Sequence, residues 1–214
     1  MNILVIAAHP DDEVLGMGAT IKKLSKKNKI YLCVVSEGAT AQYDNKKMIK
    51  VRRDSCLQSS KLLGISNVKF LDFPDQISGR SIVHLEINKE LEKMIKIHKP
   101  KVVYTTPSHD LNKDHQLIFD STLVATRPYS SSVKQLLSYE IHGLVKQPFC
   151  PTVYENVEKE FSYKLKAFKM YKSEIMNFPH PRSIKAIESL AMLRGTESGL
   201  KKAEAFQLIR NIID

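Results

Sequence analysis

The chain of 214 residues has only three cysteines, Cys33, Cys56 and Cys150, widely spaced and without a C-x-x-C pair. Such an odd, sparse set does not make a disulfide framework, so reduced thiols with ordinary packing roles are expected. Long hydrophobic runs are also missing. Stretches such as Ile3 to Ala8 fall far short of the roughly 20 apolar residues that a membrane span requires. The N-terminal apolar stretch leads into His9-Pro10-Asp11-Asp12-Glu13 and not into a small-residue cleavage site. That argues against a signal peptide and predicts a cytoplasmic protein. Internal repeats, low-complexity tracts and Gly/Ser linkers are absent, which predicts one domain over residues 1–214.

What is present is ordinary for a globular chain: 43% hydrophobic and 26% charged residues, enough for one sizeable core. The formal net charge of +10 permits an anionic partner such as a phosphosugar or nucleotide-sugar. The lysines are dispersed, as Lys22-Lys23, Lys26-Lys27-Lys29, Lys46-Lys47 and Lys201-Lys202, where polar helix faces should lie. No aromatic-studded basic strand accompanies them, so no nucleic-acid partner is expected. A small-molecule partner is, and a homo-oligomer is left open.

Short β-branched runs alternate with longer amphipathic ones. Strands are predicted at Asn2–Ala8, Lys29–Ser36, Val68–Phe73 and Val102–Thr106, with helices at Glu13–Ser25, Lys46–Leu63 and Ile82–His98 between them. Gly64 and Pro100 stand where helix stops belong. A helix from Asp114 to about Thr126, a strand near Gln135–Ile141, a loop over Gly143–Val157 and helices at Glu158–Met176 and Ser183–Leu193 follow. Ala203–Ile209 reads as a closing strand or a helix, with the strand favoured. This alternation predicts an α/β fold of βαβ units with a mostly parallel sheet.

Ligands of open parallel sheets bind beyond the carboxyl ends of the strands. Two polar clusters fall there. In the first, Ala8-His9-Pro10-Asp11-Asp12-Glu13, an imidazole and three carboxylates crowd into five residues, which is costly unless a cation or shared proton neutralises them. A turn entering a helix would aim His9 and Asp12 at one point. Helix capping by Asp11 or Asp12 is the simpler alternative, but it leaves His9-Pro10 unexplained. Gly16 and Gly18 match no phosphate-loop signature. The second cluster, His109-Asp110-Leu111-Asn112-Lys113-Asp114-His115, adds another imidazole. Two histidines and an aspartate with an open position are the pattern of a catalytic zinc.

Ala8–Glu13 resembles the A-H-P-D-D-E signature of the LmbE/PIG-L N-acetylglucosaminyl deacetylase family, and Asp114-His115 resembles the end of its second motif. The resemblance continues through Arg52, Leu63-Gly64 and Ala203-Glu204-Ala205-Phe206. It implies a Rossmann-like three-layer sandwich in which His9, Asp12 and His115 hold zinc or another divalent metal such as ferrous iron. It further implies that Asp11 is the general base and Arg52 a substrate-binding residue of an N-deacetylase for an amino sugar. Asp114 would orient an imidazole.

The family's second motif commonly reads H-P-D-H, and this chain has Asn112-Lys113 in place of His-Pro. Asn112 could donate a neutral hydrogen bond to an oxyanion, or His109 or His142 could reach in instead; His142 is favoured for its strand-end position. Thr126-Arg127-Pro128 and Pro179-His180-Pro181-Arg182-Ser183 resemble a branch associated with polysaccharide or nucleotide-sugar pathways. Rival readings are a hydrolase of another amide or a phosphoester, and a catalytically weakened sugar-binding protein. His84, His98 and His180 are read as surface or turn residues.

Overall fold

A computed structural model of the chain describes residues 1–40, 43, 45, 47–75, 81–143 and 145–213. The central strand β1 (Asn2–Ala7) is buried on both faces, as a parallel strand sandwiched by helices must be. Ile3, Val5 and Ala7 point into one apolar layer, and Leu4, Ile6 and Ala8 into the other. The remaining elements are α1 (Asp12–Leu24), β2 (Lys29–Ser36), α2 (Lys47–Leu63), β3 (Asn67–Phe73), α3 (Ser81–His98), β4 (Val102–Thr105), α4 (Lys113–Ala125), β5 (Gln135–Tyr139), β6 (Val153–Asn156), α5 (Phe161–Phe168), α6 (Ile184–Ser198) and β7 (Ala203–Asn211).

The strands form one sheet in the order β3-β2-β1-β4-β5-β7-β6. β1 to β5 pair in parallel, while β7 runs antiparallel to both β5 and β6. Helices α1, α2, α5 and α6 cover one face through residues such as Val14, Cys56, Phe168 and Ile187. Helices α3 and α4 cover the other through Ile87, Leu91, Met94 and Ile118. Each such side chain contributes about 1.5–3 kcal/mol on burial. This is the expected three-layer α/β sandwich. The chain winds outward from β1 through β2 to β3, then returns to β4 on the other side of β1. The carboxyl ends of β1 and β4 therefore flank the crevice where the winding reverses.

The expected strand at the C-terminal run is β7. The differences elsewhere have local reasons. Helix α5 is much shorter than the predicted Glu158–Met176, because beyond Phe168 the chain turns to bury Tyr171 and Glu174 against distant partners. A strand, β6, lies inside the segment expected to be a loop; it is four residues long, too short to show a period, and forms by pairing with β7. Helix α6 continues past Leu193 to Ser198, where Gly199 ends it in the left-handed region. The expected helix start at Lys46 lies outside the described residues. Cys33 and Cys56 are packing residues, but Cys150 is exposed in the loop before β6, contrary to expectation.

Helix α1 breaks at Met17 (φ −149°, ψ 27°). The Ala19 and Thr20 N–H groups donate to the two carboxylate oxygens of buried Glu204, at 3.1 and 2.7 Å. Lys164 Nζ donates to the Leu15 carbonyl at 2.8 Å and to Glu204 at 2.7 Å. A buried ion pair thus satisfies the backbone groups around the break. Gly16 is required one residue earlier: a Cβ there would stand 2.3 Å from the Tyr139 ring on β5. Among the described residues no helix is long and apolar enough to cross a membrane.

Candidate metal centre and active site

His9 follows β1 directly, and Asp12 opens α1. The intervening Asp11 takes φ 129°, a conformation that side chains rarely adopt and that only a firmly held neighbourhood maintains. Asp11 makes no side-chain cap to α1, so capping does not account for the acidic run. Asp12 Oδ2 accepts from the His9 backbone N–H at 2.8 Å. The same oxygen lies 3.5 Å from His9 Nδ1 and 3.4 Å from His115 Nε2. His115 arrives from the first turn of α4, beyond β4, and the two imidazole centroids are 5.4 Å apart. Ligand atoms of His9, Asp12 and His115 all fall within 4.8 Å of one another, and all three residues are buried.

The far nitrogen of each imidazole is held by a carboxylate. His9 Nε2 lies 3.2 Å from Asp114 Oδ2, and His115 Nδ1 lies 2.7 Å from Asp110 Oδ2. These contacts fix ring orientation and tautomer, leaving His9 Nδ1 and His115 Nε2 turned toward a common point. His115 Nε2 is buried without a hydrogen-bond partner, which in a protein interior calls for an explanation. A divalent cation supplies one, and two imidazoles with one carboxylate suit zinc or ferrous iron. The electrostatics agree. Burial disfavours a proton on His9 or His115, yet the surrounding carboxylates raise them to about 9 and about 10. Burial would raise Asp12, but the two imidazoles hold it well below its usual range. A field that retains protons this firmly would retain a cation in their place.

Asp11 stands at the same turn, next to Asp12 in the chain. Both its carboxylate oxygens are buried without hydrogen-bond partners. Arg52 Nη2 stands 3.2 Å from Oδ1, and Arg182 Nη2 stands 3.4 Å from Oδ2. Burial raises the Asp11 pKa despite both guanidinium groups. Arg52 is itself buried, donating to the Pro10 and Gly38 carbonyls. Gly38 (φ +69°) admits this approach, since a Cβ would meet Pro10 Cδ at 2.6 Å and the Arg52 guanidinium at 3.2 Å. Fully buried Glu174 lies 3.6 Å from Arg52 Nε and accepts from Arg182 Nη1 at 2.5 Å and from Tyr43 Oη at 2.9 Å. Glu13 accepts from Tyr171 Oη at 2.6 Å and from the Asp11 backbone N–H at 3.1 Å. Its carboxyl is raised to about 7, chiefly by burial.

The sequence-predicted residues fare differently. His9, Asp12 and His115 converge, Asp11 lies beside them, and Asp114 reaches His9. Arg52 faces Asp11 and backbone carbonyls, with 3% of its surface exposed. Asn112 is the exposed N-cap of α4, its Oδ1 accepting from the Asp114 N–H at 2.9 Å. His142 is exposed and lines a cleft of about 410 Å³ together with His109 and Asp110. Exposed His180 accepts from the Arg182 N–H in a turn. Sequence reasoning assigned no role to Asp110, Glu174 or Arg182. Glu174 stands in a segment that reads as an ordinary amphipathic helix and carries no local signal. Asp110 is five residues before His115 in the same polar cluster, a spacing that offered one.

A family model described as PIG-L, GlcNAc-PI de-N-acetylase, matches residues 4–126, the span that holds β1, β4 and the three converging residues. An Escherichia coli K12 protein named "Uncharacterized deacetylase YaiS" is 33% identical over 80% of this chain and 91% of its own length. The diacetylchitobiose deacetylase of Thermococcus kodakarensis is 22% identical over 99% of this chain and 84% of its own. Among solved structures, the 4-carboxy-2-hydroxymuconate hydratase GalB of Pseudomonas putida KT2440 superposes with a TM-score of 0.81 at 18% identity, covering 100% of this chain and 98% of that one. The fold alone therefore hosts more than one chemistry, but the motif-bearing sequence is decisive for kinship: the chain belongs to the PIG-L family.

Proposed function

We propose that the protein is a zinc-dependent N-deacetylase, with ferrous iron as the other candidate metal, that hydrolyses the acetamide of an N-acetylated amino sugar. The observation that carries this reading is the buried His9–Asp12–His115 cluster with an unpartnered imidazole nitrogen, beside a carboxylate whose oxygens accept no hydrogen bond. His9, Asp12 and His115 would hold the ion. When bound, it supplies a Lewis acid for the amide carbonyl and lowers the pKa of a water from 15.7 to about 7. Asp11 takes the proton of the attacking water and returns it to the departing nitrogen. The C–N bond breaks, acetate leaves, and the amine remains on the sugar. Arg52 and Arg182 hold the Asp11 carboxylate in place, while Asp114 and Asp110 steady the imidazoles.

The tetrahedral oxyanion also needs a hydrogen-bond donor. The exposed Asn112 side chain is turned onto the start of its own helix by the Asp114 N–H, whereas His142 lines the adjoining cleft, so we assign the donor to His142. Residues 1–214 act as one cytoplasmic domain on a small-molecule amino sugar. The test is acetate and amine release from a panel of N-acetylhexosamines by protein whose metal content has been measured, with phosphate release from phosphomonoesters assayed alongside. Acetate release abolished by a chelator and restored by zinc or ferrous iron is expected. Phosphate release without acetate release would overturn the reading.

A further inference from the structure

Two carboxylates and two guanidinium groups alternate in a closed ring beside the three converging residues. Arg52 Nη2 stands 3.2 Å from Asp11 Oδ1, and Arg52 Nε stands 3.6 Å from Glu174 Oε1. Arg182 Nη1 stands 2.5 Å from Glu174 Oε2, and Arg182 Nη2 stands 3.4 Å from Asp11 Oδ2. Asp11 and Glu174 are both fully buried. Half of the ring, Glu174 and Arg182, lies outside the span that matches the family model, which ends at residue 126. Local bonds fix the backbone of that half. The Glu174 N–H donates to the Tyr171 carbonyl at 2.9 Å, and the Arg182 N–H to His180 Nδ1 at 3.0 Å, one residue before Ser183 caps α6.

The two guanidinium groups are not equivalent. Arg52 is fixed by the Pro10 and Gly38 carbonyls, and 3% of its side chain is exposed. Arg182 reaches in from a turn with 27% of its side chain exposed, and its short contact is with Glu174, not with Asp11. Glu174 is itself firmly held: Oε1 accepts from the Tyr43 and Ser173 hydroxyls, each at 2.9 Å, while Oε2 takes Arg182. The consequence falls on Asp11. Among the described residues its oxygens accept no hydrogen bond, although a guanidinium lies 3.4 Å away. An arginine that faces a lone carboxylate commonly closes on it through two parallel N–H···O bonds of about 2.7–2.9 Å. Such a fork would engage the lone pairs that receive the proton of the attacking water. Glu174 competes for the same guanidinium and keeps the fork from closing.

Resting on the deacetylase reading, we propose that Glu174 is a positioning residue: it holds the Arg182 guanidinium facing Asp11 but out of hydrogen-bond contact, and so keeps the lone pairs of the base open. The experiment uses the metal-loaded full chain and compares Glu174→Gln, Arg182→Ala and the double variant, each with its metal content measured. In Glu174→Gln, kcat for acetate release should fall about ten-fold or more, a part of the roughly 10²–10⁴-fold that a general base contributes. KM should change by less than about two-fold, because no substrate contact is altered. Adding Arg182→Ala should recover several-fold of the lost kcat, since no guanidinium then remains to close on Asp11 from that side. A residue that only supports the fold would lose further activity when its partner is also removed. Should Glu174→Gln fail to fold by circular dichroism, Glu174→Asp keeps the charge but draws it back by one methylene, and the same recovery on adding Arg182→Ala is required. A crystal structure of the Glu174 variant gives a readout apart from activity: Arg182 should donate to Asp11 within about 2.7–3.2 Å. Unchanged kcat in the Glu174 variant, a double variant no more active than the single one, or an Arg182 that stays off Asp11 in the variant structure overturns the proposal. No acetate release by the unaltered metal-loaded protein overturns the deacetylase reading instead, and the position of Arg182 in the variant still decides whether Glu174 holds it.

Discussion

At the scale of single residues, Asp11 and Glu13 differ far more than their nearness in sequence suggests. Both are fully buried carboxylates at the same helix start. Glu13 is used up by the Tyr171 hydroxyl and the Asp11 backbone N–H, so it holds the turn in which Asp11 is forced to φ 129°. Asp11 accepts no hydrogen bond and is held by two guanidinium groups without being consumed by them. A carboxylate that is positioned but accepts no hydrogen bond keeps its lone pairs for a proton. Asp11→Asn should therefore lower deacetylation by about 10²-fold or more while metal content stays near one ion per chain. Near-normal turnover in the metal-loaded variant would remove Asp11 from the mechanism. The acidic run and His9 were readable in the sequence because motif and strand end coincide. The division of labour between Asp11 and Glu13 was not, since it depends on Tyr171, Arg52 and Arg182, which lie 39 residues or more from the motif along the chain.

Elements were legible where their signal is local. Strand β1 is apolar on both faces, and Gly64 ends α2 at φ +85°, so both could be read directly. Strand β6 and the turns after α5 could not, because their conformation is imposed by β7 and by the partners of Tyr171 and Glu174. The break in α1 belongs to the same class. Nothing within Asp12–Leu24 announces it except Gly16 and Gly18, and the groups that stabilise it, Lys164 and Glu204, come from α5 and β7. Removing one member of a buried pair strands the other and costs about 3–5 kcal/mol. Glu204→Ala should lose about that much in urea-unfolding stability, since Lys164 would remain buried and the Ala19 and Thr20 N–H groups would lose their acceptor. A loss under about 1 kcal/mol would mean that water replaces the carboxylate, and that the pair does not anchor α1 beneath the metal centre.

At the scale of the whole molecule, the candidate metal centre draws on both halves of the winding. His9 and Asp12 belong to the β1–α1 junction and His115 to the segment beyond β4, on either side of the point where the strand order reverses. The two sides meet through imidazole–carboxylate contacts, His9 with Asp114 at 3.2 Å and His115 with Asp12 at 3.4 Å. An ion held by His9, Asp12 and His115 would bind the folded chain in preference to the unfolded one. At free metal about 100 times its dissociation constant, that preference adds about 2.7 kcal/mol. For a chain of this size, each kcal/mol raises the melting temperature by about 2–4 °C, so zinc should shift it by about 5–10 °C. The shift should vanish in His115→Ala and Asp12→Ala, which remove ligands, and persist in Asp11→Asn, which does not. Scanning calorimetry on chelator-treated and metal-restored protein makes the comparison. An equal shift in His115→Ala would place the ion elsewhere on the surface, and a lost shift in Asp11→Asn would make Asp11 a ligand as well as a base.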